Sequence, residues 1–243
     1  MIHPLLSLQA RVQSWKAEHF EKTRGGRRLA RLKNLHAGRR CFIIGNGPSL
    51  TAEDLDALAA HGEITFAFNR IYHIFDQTRW RPTYYISQDE KMLAGCAGEV
   101  TDLAAEIKFI PAEAKWYHGI EIPGCQLFHL IGQKKGMEPV FSAMQFAVYM
   151  GIREIYLIGV DHHFHTSVND KGEIVVDPTA KDYFSDKYNP DKDKLYIPNT
   201  DASTLTYIAA KRYADTHGVR VCNATRGGKL EVFERVDLDS LFQ

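Results

Sequence analysis

The chain has 243 residues, 44% of them hydrophobic, and 30 Lys or Arg against 30 Asp or Glu. That length suits one α/β domain with additions, or at most two small domains, and the apolar share can fill a sizeable core. The balanced charge gives no global argument for nucleic acid, and no apolar stretch is long enough to span a bilayer. Cys41, Cys96, Cys125 and Cys222 form no C-x-x-C pair, so neither a zinc knuckle nor a redox motif is expected, and a reducing cytosol fits. Residues 1–8 lack a charged start followed by a long apolar core, so no secretory signal is expected and the expected location is the cytoplasm.

Residues 1–40 carry ten Lys or Arg against two Glu. Leu5, Leu8, Val12, Trp15 and Phe20 roughly follow a helical stripe over residues 5–23. Gly25-Gly26 reads as a break, with a short basic segment after it. Residues 1–37 are thus expected to form a basic helical arm. It packs on the domain or on a second subunit, or it touches an anionic inner-membrane surface, since bases interleave with Trp15, Phe20, Leu29 and Leu32. The thin apolar face favours packing. A homo-oligomer stays open.

Residues 38–243 read as a single Rossmann-like, nucleotide-binding domain. Cys41–Ile44 suits a buried strand, Gly45-Asn46-Gly47-Pro48-Ser49 a turn, and the segment from Thr51 a helix. Strand, glycine turn and helix start can present backbone N–H groups to a phosphate. Gly45 and Gly47 can take positive φ and let a ligand approach, Pro48 suits a first helical turn, and Ser49 or Thr51 can cap the helix. The plainer alternative is a tight turn without a ligand.

Further strands are expected at 64–68, 81–86, 107–111, 126–131, 154–160 and 219–222, and helices at 142–150 and 202–218. The alternation predicts an α/β fold with a doubly wound, mostly parallel sheet. Residues 165–200 are long, polar and aromatic, which suits a lid, with Tyr183, Phe184, Tyr188 and Tyr196 closing on something. Ligands of such sheets bind beyond the carboxyl ends of the strands. That rule selects 45–49, Asn69-Arg70, Gln88-Asp89 after Ser87, Asp161–His163 and Asn223–Gly228.

At these ends Asp161 and His162 are the candidate catalytic pair, a base and its orienting group, with His163 or His165 structural. The cluster could instead hold a divalent ion with a substrate phosphate. Asn69 and Gln88 suit a base or ribose, Asp89 ribose hydroxyls or a metal, and Arg70 a phosphate. Tyr183 and Tyr188 can assist departure of a leaving group, and Asn223 or Thr225 can line the rim. Each has a bland alternative: turn former, surface ion pair or lid packing.

Several motifs carry a family resemblance. Residues 42–50 (FIIGNGPSL), 68–72 (FNRIY), 82–85 (PTYY), 144–151 (MQFAVYMG), 154–162 (EIYLIGVDH) and 222–233 (CNATRGGKLEVF) are similar to the bacterial domain family named after the pterin pyrophosphokinase MptE. Many members are thought to serve surface-polysaccharide or flagellin glycosylation. The scaffold also resembles bacterial sialyltransferases that use CMP-sialic acid. There the Gly-Asn-Gly-Pro-Ser-Leu turn holds the donor nucleotide, which implies that role for 45–50, and a second asparagine implies one for Asn69. Their catalytic histidine has no counterpart beside Asn199-Thr200-Asp201. The resemblance implies a glycosyltransferase-like enzyme of cell-surface glycan biosynthesis, with a glycan acceptor and a nucleotide-sugar donor that could be CMP-sialic-acid-like, in which case no metal is required. Two alternatives remain: a magnesium-dependent ATP:pterin-type pyrophosphokinase, and a non-catalytic nucleotide-binding protein.

Overall fold

The computed structural model describes residues 18–129, 139–168, 174–176, 181–188 and 200–243, with Val12 and Trp15. Eight strands form one sheet: β1 (Arg40–Ile44), β2 (Ile64–Phe68), β3 (Tyr84–Ile86), β4 (Ile107–Pro111), β5 (Gln126–Phe128), β6 (Glu154–Ile158), β9 (Arg220–Asn223) and β10 (Glu234–Arg235). Their order is β10-β9-β6-β1-β2-β3-β4-β5, and each neighbouring pair is parallel. The expected α/β, doubly wound sheet is therefore present. β7 (Thr166–Val168) and β8 (Ile174–Val176) form a separate antiparallel hairpin inside the expected lid.

Both faces of the sheet are covered, which explains the near-continuous apolar runs. Cys41 and Ile43 of β1 join Ala143, Met144 and Ala147 of helix α5 (Pro139–Tyr149) and Tyr207 and Ala210 of helix α6 (Thr200–Thr216). Phe42 and Ile44 face the other way. They join Leu55 and Leu58 of α2 (Ala52–Ala60), Leu93 and Val100 of α3 (Glu90–Asp102) and Ala114 of α4 (Ala112–His118). The β1/β6 pair runs in register from Arg40↔Glu154 to Ile44↔Ile158. Strand order reverses there, because the chain leaves β1 towards β2 and returns to its other side as β6. The crevice beyond this pair is the topological switch point.

The glycines at 25 and 26 do not break the arm. They lie inside helix α1 (Arg24–Ala30), whose start is capped by the Thr23 hydroxyl accepting from Gly26 N–H at 3.0 Å. A Cβ on Gly26 would stand 2.1 Å from the Phe20 carbonyl oxygen, so glycine allows the preceding turn to fold back tightly. α1 packs beside the edge strand β5, where Gln126 Nε2 donates to Gly25 O at 2.8 Å. Residues 34–38 bond to the end of α5 through Asn34 N–H to Tyr149 O and His36 N–H to Met150 O. Of the helix expected over residues 5–23, the described end is a 3-10 turn at Phe20–Lys22 followed by extended Thr23, and most of the remainder lies outside the described residues. All four cysteines are free thiols.

Candidate functional site

The turn after β1 and the turn after β6 are built against each other. Gly45 N–H donates to Ile158 O and Gly47 N–H to Gly159 O, both at 2.8 Å. A Cβ at 45 would lie 2.3 Å from the Gly159 oxygen, and one at 47 would lie 1.8 Å from Asp161 Oδ2. Neither glycine has positive φ. The expectation of left-handed glycines with free N–H groups is thus corrected: these N–H groups are spent on β6, and glycine is needed because the neighbouring backbone and the Asp161 carboxylate stand where a side chain would. Pro48 sits in the turn rather than in the first helical turn, and Thr51, not Ser49, caps α2 by accepting from Asp54 N–H at 3.1 Å.

Ser49 instead holds Asp161. Its hydroxyl donates to Asp161 Oδ2 at 2.8 Å, and its N–H lies 3.4 Å from the same oxygen. Asp161 is 9% exposed. Burial raises its carboxyl above the ordinary value, opposed by the Ser49 bonds and by the charge of His163. A buried carboxylate tuned upward takes a proton more readily than an exposed one.

Asp161 and His162 diverge. His162 adopts a left-handed φ of 52°, which turns its ring towards α6. There Nε2 meets Thr204 Oγ1 at 2.7 Å and the ring stands edge-on to Tyr207. Burial lowers its pKa, which keeps it neutral at pH 7. The expected pair is therefore no dyad, since consecutive residues at this bend face opposite sides. His163 stacks edge-on against His165, and His165 Nδ1 bonds to Asp182 at 2.8 Å.

The second wall comes from β2 and the aromatic segment. Asn46 Nδ2 donates to Tyr188 Oη at 3.1 Å and lies 3.4 Å from Phe68 O, and Asn46 O accepts from Phe184 N–H at 3.1 Å. The other amide atom, Asn46 Oδ1, is buried without a partner among the described residues. Asn69 takes φ 51°, accepts the Tyr85 hydroxyl on its main-chain oxygen at 2.7 Å, and hydrogen-bonds the Tyr188 hydroxyl through its side chain. Arg70 Nη1 donates to Tyr188 O at 2.7 Å. Tyr183 and Tyr188 are stacked at 4.2 Å and 13°, and Phe184 is buried beside them. Burial raises the Tyr188 hydroxyl far above its usual range, so it stays protonated. Tyr196 and Asn199 lie outside the described residues.

Three expected contact residues are placed elsewhere. The Gln88 oxygen accepts from Ser142 Oγ of α5 at 2.7 Å. Asp89 caps α3 by accepting from Met92 N–H at 3.0 Å. Asn223 is 1% exposed and closes its own loop, donating to Leu230 O at 2.9 Å and accepting from Thr225 N–H at 3.0 Å. Thr225 Oγ1 accepts from Val160 N–H at 3.1 Å, which ties that loop to the end of β6. The sequence reading missed Thr204, which fixes His162. The i, i+4 face running Thr204, Ile208, Lys211 and Asp215 along one helix was the available signal.

No group of three or more potential metal ligands occurs among the described residues, and no helix there is long and apolar enough to cross a membrane. What gathers at the switch point is Asn46, Ser49, Asn69, Arg70 and Asp161, walled by Tyr183 and Tyr188.

The chain shares its fold with a glycosyltransferase. The MAf glycosyltransferase from Magnetospirillum magneticum AMB-1 superposes with a TM-score of 0.50 at 16% identity, over 87% of this chain and 38% of that one. The chain thus spans well under half the length of that protein. A mammalian sialyltransferase, solved in complex with Gal-beta-1-3GalNAc-ortho-nitrophenol, gives a TM-score of 0.40 at 12% identity over 84% of this chain and 79% of that one. No family model and no curated protein matches the chain.

Proposed function

We propose that the protein is a glycosyltransferase-type enzyme that holds a nucleotide-activated sugar in the β1/β6 crevice and transfers the sugar to a glycan acceptor. The observation that carries this reading is Asn46. Its amide sits at the switch point with Oδ1 buried and unpartnered among the described residues, and leaving a buried acceptor unmade costs about 1–3 kcal/mol. With the Tyr188 wall displaced, a cytosine amino group or a ribose hydroxyl supplies the missing donor. Asn69 and Arg70 stand beside it for ribose and phosphate, and the Tyr183–Tyr188 stack covers the donor.

In the reaction the acceptor oxygen attacks the anomeric carbon. The bond from that carbon to the donor's phosphate oxygen breaks, and its electron pair leaves with the nucleotide. The acceptor proton passes to Asp161, whose burial favours taking it. This gives the base role to Asp161 and not to His162. With a CMP-linked donor the leaving group is a nucleoside monophosphate, and the protein's own donors suffice. The same reading puts the enzyme in the cytoplasm, in the service of surface glycan assembly.

Isothermal titration with CMP, CMP-N-acetylneuraminate, UDP and ATP, each with and without magnesium, tests it. The expected result is cytidine-nucleotide binding without metal, weakened at least about tenfold in Asn46→Ala. Absence of cytidine-nucleotide binding overturns the CMP-linked version. Magnesium-dependent ATP binding with AMP release, in place of sugar transfer, points to pyrophosphoryl transfer.

A further inference from the structure

Beside the crevice, on the α6 side of Asp161, lies a cavity of about 520 Å³ between α6 and the loop after β9. That volume falls within the range of small-molecule sites, about 300–1,000 Å³. Ile208, Leu230 and Val232 supply its apolar lining, and His162, Lys211, Arg212 and Lys229 are among its polar groups.

Its charges do not cancel. Lys211 is paired with Asp215 at 3.7 Å, and Glu231 is paired with Arg235 at 2.8 Å. Among the described residues neither Arg212 nor Lys229 has an ion-pair partner. Two free cations over an apolar surface suit an anion carried on a sugar ring.

The cavity is joined to the crevice through the backbone. Lys229 N–H donates to Asp161 O at 2.7 Å, and a Cβ on Gly228, where φ is 72°, would stand 2.8 Å from that oxygen. His162, the next residue along, forms part of the cavity wall. One peptide unit therefore separates the crevice carboxylate from the cavity wall.

We propose that this cavity is a second binding site, for a carboxylate- or phosphate-bearing saccharide whose anionic group meets Arg212 and Lys229 and whose ring lies on Ile208 and Val232. As the site of the acceptor it rests on the glycosyl-transfer reading; as a site for an anionic sugar it does not.

The test is titration calorimetry of the full chain with N-acetylneuraminic acid, glucose 6-phosphate and glucose. The proteins compared are the parent, Arg212→Ala/Lys229→Ala and Asn46→Ala. At least one anionic sugar is expected to bind at about millimolar or tighter, and glucose is not. The double variant should weaken that binding at least about tenfold, because charge-assisted hydrogen bonds are lost, while Asn46→Ala leaves it unchanged.

The proposal is overturned if neither anionic sugar binds up to about 10 mM, if glucose binds equally, or if the double variant binds as the parent does. It is also overturned if Asn46→Ala abolishes binding, since the sugar then sits in the crevice. Anionic-sugar binding that depends on Arg212 and Lys229, in a protein that binds no nucleotide, sinks the transferase reading and leaves this site standing. A thermal melt of the double variant, whose two side chains are solvent-facing, confirms that it is folded.

Discussion

Ser49 and Asp161 are 112 positions apart in the chain, yet the serine hydroxyl donates to the aspartate carboxylate over 2.8 Å. That bond joins the turn after β1 to the turn after β6 and sets the carboxylate at the mouth of the switch-point crevice. The glycines around it leave the room that the arrangement needs.

The two glycines of the first turn should therefore fail differently. At Gly45 the obstacle to a Cβ is the Gly159 carbonyl at 2.3 Å, which is backbone; at Gly47 the nearest atom is the Asp161 carboxylate, and the Gly159 oxygen stands further off at 2.8 Å. Gly45→Ala is expected to destabilise by about 3 kcal/mol or more and Gly47→Ala by about 1–2 kcal/mol, the latter with Asp161 displaced. Urea denaturation of the two variants checks the order. Equal losses would show that the turn yields as a unit.

Asn46→Ala should separate stability from binding. Nδ2 donates to Tyr188 Oη at 3.1 Å and lies 3.4 Å from Phe68 O, while Oδ1 has no partner among the described residues, so the change loses one good bond and relieves one unmet acceptor. Removing the amide should cost no more than about 1 kcal/mol of folding stability. Nucleotide affinity should fall at least about tenfold in the same sample. A variant that lost stability and kept its affinity would make Asn46 a packing residue.

Asp161 should give a distinctive pH profile. Burial raises its folded-state value, so the native protein keeps a proton there at pH values where the unfolded chain has lost it. The stability from this group is full below the unfolded carboxyl value and is lost as pH rises through the raised native one. In Asp161→Asn that loss is absent. The melting temperature of the variant relative to the parent should rise as the pH climbs above the ordinary carboxyl value of about 4, while transfer activity disappears. Calorimetric scans across that range decide it, and a flat difference would count against the burial argument.

Arg226 makes a purely structural prediction. It binds Asp54 of α2, 7% exposed, and Asp239 near the C-terminus. Arg226→Ala leaves the Asp54 carboxylate without its partner and is expected to cost about 2–3 kcal/mol. Adding Asp54→Asn should recover part of this, and a double-mutant cycle measures the coupling.

Tyr188→Phe tests the aromatic wall. The change removes the hydroxyl that meets Asn46 Nδ2 at 3.1 Å and keeps the stack on Tyr183. Protease resistance across residues 181–188 should be preserved and nucleotide affinity should fall. Tyr188→Ala should lose both, because it also removes the ring contact.

Local pattern made the strands and long helices legible. The run from Cys41 to Ile44 and the run from Ile155 to Ile158 are apolar because both faces of those strands are covered. Helices α3 and α4 were not read, since glycines within the first and brevity in the second blur the helical period. The two-residue strand β10 carries too little pattern to see.

Sequence alone determined that strand ends rich in Asn, Asp and His would meet at one rim, because a βα alternation of this kind admits few topologies and ligand sites lie beyond the carboxyl ends. Only the tertiary structure decided which of those polar groups face the crevice. A single left-handed residue at 162 turns histidine away from aspartate, and a loop closed on itself removes Asn223. Side-chain direction at a strand end depends on one or two backbone torsions and on partners far away in the chain, and neither leaves a trace in local composition.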